Sequence, residues 1–356
     1  MTHVPRLLRT LAAALLAGAA ASSAHAQYNI DWFTVDTGGG LSVNGDFTVE
    51  GTVGQFDAGK QVNSPDTELC GGYWNEITAF PTMTYHATVE LAYVNTATFQ
   101  RCITFQFFDA NCPTPAATVD VVMTFTNRIA SQAIQIPAGN YICATARDRR
   151  HTLRVTSDPG TFILFSGVYF ADFTGVEALP GGNLNDDAYI DILDFGAFVG
   201  QFGVTYGSAN TTCSTPPIHA DISGDGTVNG LDYSFISTNF IMPRQPDCCA
   251  VARPGGAITD ISLDDLLARG DWEIARTADL NRDWRLNSAD IEFFAQHGLS
   301  GCAADYSLQG GLTVDDLFLF LDNWFRGHPA TDIDANRSLT VDDLFIYLNA
   351  WFTGCP

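Results

Sequence analysis

Two hydrophobic patterns divide the chain. In the first, apolar and polar residues alternate in runs rich in Val, Thr, Ile and Phe, at 86–95, 102–108, 119–125, 133–136, 140–144, 153–156 and 161–169. A period of two puts one side of each run on a core and the other in water, which predicts strands. Pro113, Pro115, Pro137 to Gly139 and Pro159-Gly160 fall between the runs. That spacing predicts a β-sandwich-like domain over 78–177. Upstream, 27–77 is Gly-rich, and its short alternating pieces at 41–43 and 46–49 suit antiparallel strands.

Beyond Pro180-Gly181-Gly182 the period becomes helical. The stripes are Phe195, Phe198, Val199, Phe202; Tyr233, Ile236, Phe240; Ile291, Phe294; Leu317, Phe320, Leu321, Trp324; and Leu344, Tyr347, Leu348, Trp351. Each predicts a short helix with one buried face. Residues 317–321 are apolar all round, more than a stripe needs, so part of that helix is expected to be a docking surface. LTVDDLFLFLDNWF at 312–325 returns as LTVDDLFIYLNAWF at 339–352, identical at 10 of 14 positions with an offset of 27. Repeats of this size are duplicated units that stack.

An acidic turn precedes each stripe, with the spacing of an EF-hand-type calcium loop. Oxygen ligands there stand at positions 1, 3, 5, 7 (a backbone carbonyl), 9 and 12, because a hard cation needs six or more oxygens from one short segment. Asp221, Ser223, Asp225, Thr227, Asn229 and Asp232 fit throughout. Asp279, Asn281, Asp283, Arg285, Asn287 and Asp290 make a second loop, and Asn183, Asn185, Asp187, Tyr189, Asp191 and Asp194 a third. Asp332, Asp334, Asn336, Ser338, Thr340 and Asp343 make a fourth; Asp305, Ser307, Gln309, Gly311, Thr313 and Asp316 a weaker fifth. A sixth, 254–265, keeps Ile261 at position 8 and Asp265 at position 12 but has lost its early acids.

Val228, Leu286 and Ile190 at position 8 are where such loops pair through a short β-bridge. Position 6 prefers Gly for its sharp turn. Gly226 and Gly310 comply, whereas Ala188, Trp284 and Arg337 do not, and a non-Gly residue forced to positive φ costs about 1 kcal/mol. The expected order of affinity is therefore 221–232, then 279–290 and 183–194, then 332–343, then 305–316.

Charge supports this division. Residues 27–175 hold 14 acids and 7 bases, residues 176–356 hold 26 and 8, and the whole chain carries −23. Ligand positions of the six loops account for 15 of those 26 acids, and without a cation they would repel one another, so metal binding and folding are expected to be coupled. A phosphate partner needs positive charge, so no nucleic-acid partner is expected.

Arg6 and Arg9, an apolar stretch at 11–21 and Ala24-His25-Ala26 read as a signal peptide, 1–26, making the protein secreted, extracellular or at the cell surface. No later apolar run is long enough to span a membrane. Nine cysteines in an exported chain read as disulfides with one left over, expected at Cys248 or Cys249.

Loop-plus-helix repeats with Asp at position 12 and no helix entering the loop resemble dockerin repeats, the duplicated calcium modules of secreted carbohydrate-degrading assemblies. The resemblance covers about 183–352. It implies a multidomain chain, N-terminal all-β and then α-helical dockerin-like repeats in three pairs, 178–250, 251–301 and 302–356. It implies bound Ca2+ and a cohesin-like or cell-surface protein partner. The last pair, closing in Gly354-Cys355-Pro356, resembles C-terminal dockerin-like modules of secreted bacterial proteins, and Cys302 and Cys355, which flank it, are expected to bond across its ends. At positions 10 and 11, where the family meets its partner, this chain has Ile192-Leu193, Gly230-Leu231, Ser288-Ala289, Val314-Asp315 and Val341-Asp342. In the first half, GTVGQFDAG with CGGYW at 51–74, and RCITF with CATARDRRHTLR at 101–154, resemble segments of other secreted bacterial proteins.

Catalytic motifs are sparse. G-x-S-x-G and H-E-x-x-H are absent, and His86, His151, His219, His297 and His328 are scattered. Glu50, Glu90, Asp109 or Asp120 could supply the paired carboxylates of a glycosidase, which leaves a carbohydrate-active hydrolase, or a polysaccharide-binding accessory, as the alternative to a non-enzymatic anchoring protein. The run from Arg147 to His151 is either an anion- or polysaccharide-binding patch or a salt-bridged turn.

Overall fold

The computed structural model describes residues 81–216, 218–249, 255–299 and 301–355, with the backbone of four strands between 39 and 70. These four form two antiparallel hairpins, β1 (Gly39–Asn44) with β2 (Phe47–Thr52) and β3 (Lys60–Ser64) with β4 (Thr67–Cys70). They belong to one unit, Met1–Ala79, and everything below concerns the other, Phe80–Pro356. The expected signal segment and the side chain of Glu50 lie outside the described residues.

Eight strands follow: β5 (Thr82–Glu90), β6 (Thr98–Phe108), β7 (Ala117–Thr126), β8 (Ile129–Pro137), β9 (Cys143–Asp148), β10 (Val155–Thr156), β11 (Ile163–Phe165) and β12 (Val168–Phe173). Alternation decides their faces: Tyr85, Ala87 and Val89 of β5, and Met123 and Phe125 of β7, are buried. The sheet order is β10-β9-β6-β7-β8-β5-β12-β11, antiparallel except where β12 lies parallel to β5.

Strands β7 and β8 share one residue pair, Thr126 with Ile129, beside a turn in which Asn127 and Arg128 have φ 50° and 68°. Two left-handed central residues make a tight hairpin. With no further pairing the sheet curls there, and its halves face each other: the Tyr85 ring lies edge-on against Phe105 and Phe107 at 5.4 and 4.8 Å. The run 161–169, expected as one strand, is the β11–β12 turn and its flanks, because Ser166 and Gly167 are left-handed, φ 49° and 79°.

Among the described residues seven α-helices follow the sheet: α1 (Ile192–Val199), α2 (Gly230–Thr238), α3 (Leu263–Arg269), α4 (Trp272–Thr277), α5 (Ser288–His297), α6 (Val314–Arg326) and α7 (Val341–Thr353). Helix α1 is buried on every side. It meets α4 at Gly196, where a Cβ would stand 2.4 Å from Ile274 Cγ2, so only Gly permits the approach. Helix α4 carries no stripe long enough to announce it.

One apolar core runs from Tyr85 in the sheet to Phe294 in α5, and α6 and α7 enclose a small second core of Tyr306, Phe320, Ala330 and Tyr347. There Phe320 and Tyr347 stack at 3.7 Å. Trp324 of α6 donates its indole N–H to the Thr340 carbonyl, and Trp351 of α7 returns the same bond to Thr313. The sequence repeat is thus a structural one.

Among the described residues four disulfides are present: Cys102–Cys213, Cys112–Cys249, Cys143–Cys248 and Cys302–Cys355. The first three tie the sheet to the segments around the first two acidic loops. The pairing of Cys302 with Cys355 is as expected, but neither Cys248 nor Cys249 is left over. Two adjacent cysteines can reach two different partners, and here one bonds β9 while the other bonds the loop after β6. Four disulfides fit an extracellular or otherwise oxidising environment. Among the described residues no helix is long and apolar enough to cross a membrane.

Candidate metal centres

The five acidic loops share one hydrogen-bond scheme. The position-12 carboxylate takes a backbone amide of position 2 or 3 on one oxygen and that of position 9 on the other: Leu184 and Asp191 on Asp194, 2.7 and 2.8 Å; Ser223 and Asn229 on Asp232, both 2.8 Å. Leu280 and Asn287 bind Asp290 at 2.8 and 2.9 Å, Ser307 and Thr313 bind Asp316 at 2.9 and 2.8 Å, and Ile333 and Thr340 bind Asp343 at 3.0 and 2.8 Å. All five carboxylates are buried. Position 9 is the N-cap of the following helix and position 12 its third residue, so the ligand spacing is also a capping box.

Position 1 closes the turn from the other side. Asp221 accepts from Asp225 and Gly226, Asp279 from Asp283 and Trp284, and Asp332 from Asn336 and Arg337, all between 2.9 and 3.1 Å. Positions 3 and 5 sit together on the rim: Asn185 donates to Asp187, Asn281 to Asp283 and Asn336 to Asp334. In the fifth loop Gly310 donates to Asp305, and Gln309 is exposed.

Backbone strain falls where the turn is sharpest. Trp284 and Arg337 at position 6 have φ 72° and 67°, as their side chains make costly. Position 4, which sequence reasoning passed over, is left-handed as well: Asp186, Gly224, Arg282, Leu308 and Ala335. Ala188 is not left-handed, so loop 183–194 relaxes its turn at position 6. There Asn183, lacking a second oxygen, donates to the Asp187 carbonyl instead.

The expected β-bridge forms in one pair, where Ile261 of β13 (Asp260–Ser262) meets Leu286 of β14 (Arg285–Asn287). Ile190 and Val228 instead bond the chain at Ile241–Met242 and Gly203–Val204, so these two loops do not pair with each other. The connection between the two loops supplies Gly203–Val204 and the segment after α2 supplies Ile241–Met242, neither of which the spacing of the loops reveals.

Each loop therefore buries at least two oxygen-bearing side chains, those at positions 1 and 12, and among the described residues none of the position-12 carboxylates has an ion-pair partner. Burial pushes Asp194 well above the ordinary carboxylate range, Asp232 up to about 6 and Asp290 up to about 7. Burial also acts on Asp316, but the donors of Ser307 and Thr313 outweigh it and hold this carboxyl below its ordinary value. Asn183 Oδ1 and Asp305 Oδ1, both at position 1, are buried with no hydrogen-bond partner. Carboxylate oxygens of Asp332, Asp334 and Asp343 lie within 4.8 Å of one another. Oxygen-only donors, unpaired and crowded, fit a hard divalent cation such as calcium better than a soft transition metal.

The basic run fastens the first loop to the sheet. Arg147 and Arg149 grip Asp186 at 2.5 and 3.1 Å, and Arg150 donates to the Thr215 carbonyl. It is the salt-bridged turn of the two readings, not an open anion site. Beneath it, buried Arg101 donates to the carbonyls of Asp221 and Ala209 and lies 3.7 Å from Asp148. Asp148 accepts from His151 Nδ1 at 2.6 Å, and His219 stands 3.2 Å beyond on Nε2. Burial pulls His219 down to about 3 and lowers His151 as well, which favours the neutral form of both imidazoles beside the Asp148 carboxylate.

The paired-carboxylate candidates are committed locally: Glu90 accepts from Gly175 and pairs with Arg128, Asp109 holds Asn111, and Asp120 accepts from Thr104. A duplicated apolar face stays open at the far end. Val314, Phe318 and Phe325 of α6, and their counterparts Val341, Phe345 and Phe352 of α7, are between 56% and 78% exposed.

No protein-family model matches the chain. No curated protein matches it either. Among solved structures, it is similar to a C-terminal interface mutant of a type II cohesin–X–dockerin complex from Acetivibrio cellulolyticus, at 12% identity and a TM-score of 0.26, over 44% of this chain and 95% of that one. An N-terminal interface mutant of the same complex gives 11% and 0.27 over the same shares.

Proposed function

We propose that this is an exported calcium-binding protein whose dockerin-like loop–helix repeats serve anchoring, adhesion or assembly. One observation carries the reading: five loops with calcium-ligand spacing share a single hydrogen-bond scheme ending in a capped helix, and their buried position-12 carboxylates lack an ion-pair partner among the described residues. Calcium would be held by the side chains at positions 1, 3, 5, 9 and 12 and the carbonyls of Tyr189, Thr227, Arg285, Gly311 and Ser338. It would supply the charge that lets those carboxylates stay ionised in a closed loop.

The β unit acts as a base to which the first loops are bonded by three disulfides and the Arg147–His151 run. The last pair presents its apolar face away from its own core. A cohesin-like or other cell-surface protein is the partner class that such a face and the dockerin resemblance suggest. Calcium titration by calorimetry, with circular dichroism before and after chelation, tests the reading: heat of binding with gain of helix is expected, and no heat with unchanged helix refutes it.

A further inference from the structure

The last two loop pairs exchange hydrogen bonds through the loops themselves. His328, just ahead of loop 332–343, donates Nε2–H to Asp279 Oδ2 at 2.8 Å. Its Nδ1 accepts from the Ala330 amide at 3.1 Å, which fixes the proton on Nε2. In the opposite direction Trp272 of α4 donates its indole N–H to Asp332 Oδ2 at 2.9 Å. Asp279 and Asp332 are position 1 of their loops. Both keep Oδ2 for the position-6 amide and this foreign ring, and Oδ1 for the position-5 amide. Asp221 and Asp305 occupy the same position in their loops and have no ring donor among the described residues.

The strained residues of loop 279–290 reach across the same joint. Arg282 at position 4 lies over the Tyr306 ring at 4.6 Å, and Trp284 at position 6 meets His328 edge-on at 4.6 Å with Arg326 over its ring at 5.1 Å. Both are left-handed non-Gly residues. Glycine would relieve that strain, but it would also remove the contact. These side chains therefore tie the loop's shape to the neighbouring pair.

We propose that loops 279–290 and 332–343 form one coupled cation switch, in which His328 and Trp272 position the first ligand of the opposite loop. The proposal rests on the calcium reading above. A loop that closes on its ion fixes its position-1 carboxylate; that carboxylate holds the ring donated by the neighbouring pair, and the ring's own element carries or abuts the other loop. Coupling of this kind is reciprocal, so each loop must change the other's affinity by the same factor.

Hydrogen exchange of the full chain against free calcium reads a separate midpoint for each loop. Asp283→Ala and Asp334→Ala each remove one exposed rim ligand without touching a helix cap. The first is expected to raise the midpoint of 332–343, and the second that of 279–290, by the same factor of about fivefold or more. Trp272→Phe keeps an aromatic ring but loses the indole N–H and is expected to raise both, while Asp225→Ala weakens its own loop and shifts neither. Midpoints in 279–290 and 332–343 that each respond only to their own ligand overturn the coupling and leave calcium binding intact. No calcium-dependent protection in the native chain overturns both readings.

Discussion

Replacing Cys302 and Cys355 with Ser removes the clasp on the last pair, and the structure sets the size of the effect. The bond spans 53 residues, and closing a loop of that length removes chain entropy worth about 4 kcal/mol. Inside it, among the described residues, the buried apolar side chains are Ala304, Tyr306, Phe320, Ala330 and Tyr347. At about 2 kcal/mol for a large side chain, against 1–2 kcal/mol of backbone entropy for each residue ordered, roughly, that core cannot hold the pair closed alone. Calcium at about 1,000 times its Kd adds ~4 kcal/mol per loop, as much as the lost bond. The doubly substituted chain should therefore keep α6 and α7 protected from hydrogen exchange in excess calcium and lose that protection in chelator. The native chain should lose much less, and α1 serves as internal reference. Equal protection of α6 and α7 in chelator, with and without the bond, would refute the reasoning.

Three further outcomes are expected. Without metal, Asp232 and Asp290 hold their protons up to about pH 6 and 7; the stability they lend is present below the ordinary carboxylate value of about 4 and is lost as pH rises through 6 and 7, at about 1.4 kcal/mol per pH unit. Since calcium needs the ionised form, the gap in Tm between loaded and chelated protein should widen from pH 5 to pH 8; a constant or narrowing gap contradicts this. Arg337 is exposed at φ 67°, so Arg337→Gly should stabilise by about 0.5–1 kcal/mol, whereas Trp284→Gly should destabilise, both read by denaturant unfolding. Phe318→Ser with Phe345→Ser changes exposed residues and should alter stability by no more than about 0.5 kcal/mol per site; a larger loss would mean that the face is already covered within the chain.

The elements that the sequence discloses are those with strong local period. Alternation located most strands of the sheet, and the 27-residue repeat found α6 and α7, whose Phe320 and Tyr347 stack as equivalent residues. Position 12 was legible because one residue serves as loop closer and helix cap. What stayed hidden is non-local. The curl at β7–β8 depends on which strands lack partners, Cys248 and Cys249 bond residues over a hundred positions away, and the left-handed Ser166 has no compositional signal. His328 and Trp272 could not be singled out, since nothing within either segment indicates a carboxylate 49 or 60 residues distant.

If the acidic loops are calcium sites, the fold of the repeats depends on the ions they hold. Native mass spectrometry of the full chain, purified in calcium and then dialysed against chelator, tests it most directly. Between about three and five calcium ions per chain, one per competent loop, should be retained at first and lost together with helix on chelation. A chain that carries no calcium and keeps its helices unchanged would show that the loops are not calcium sites.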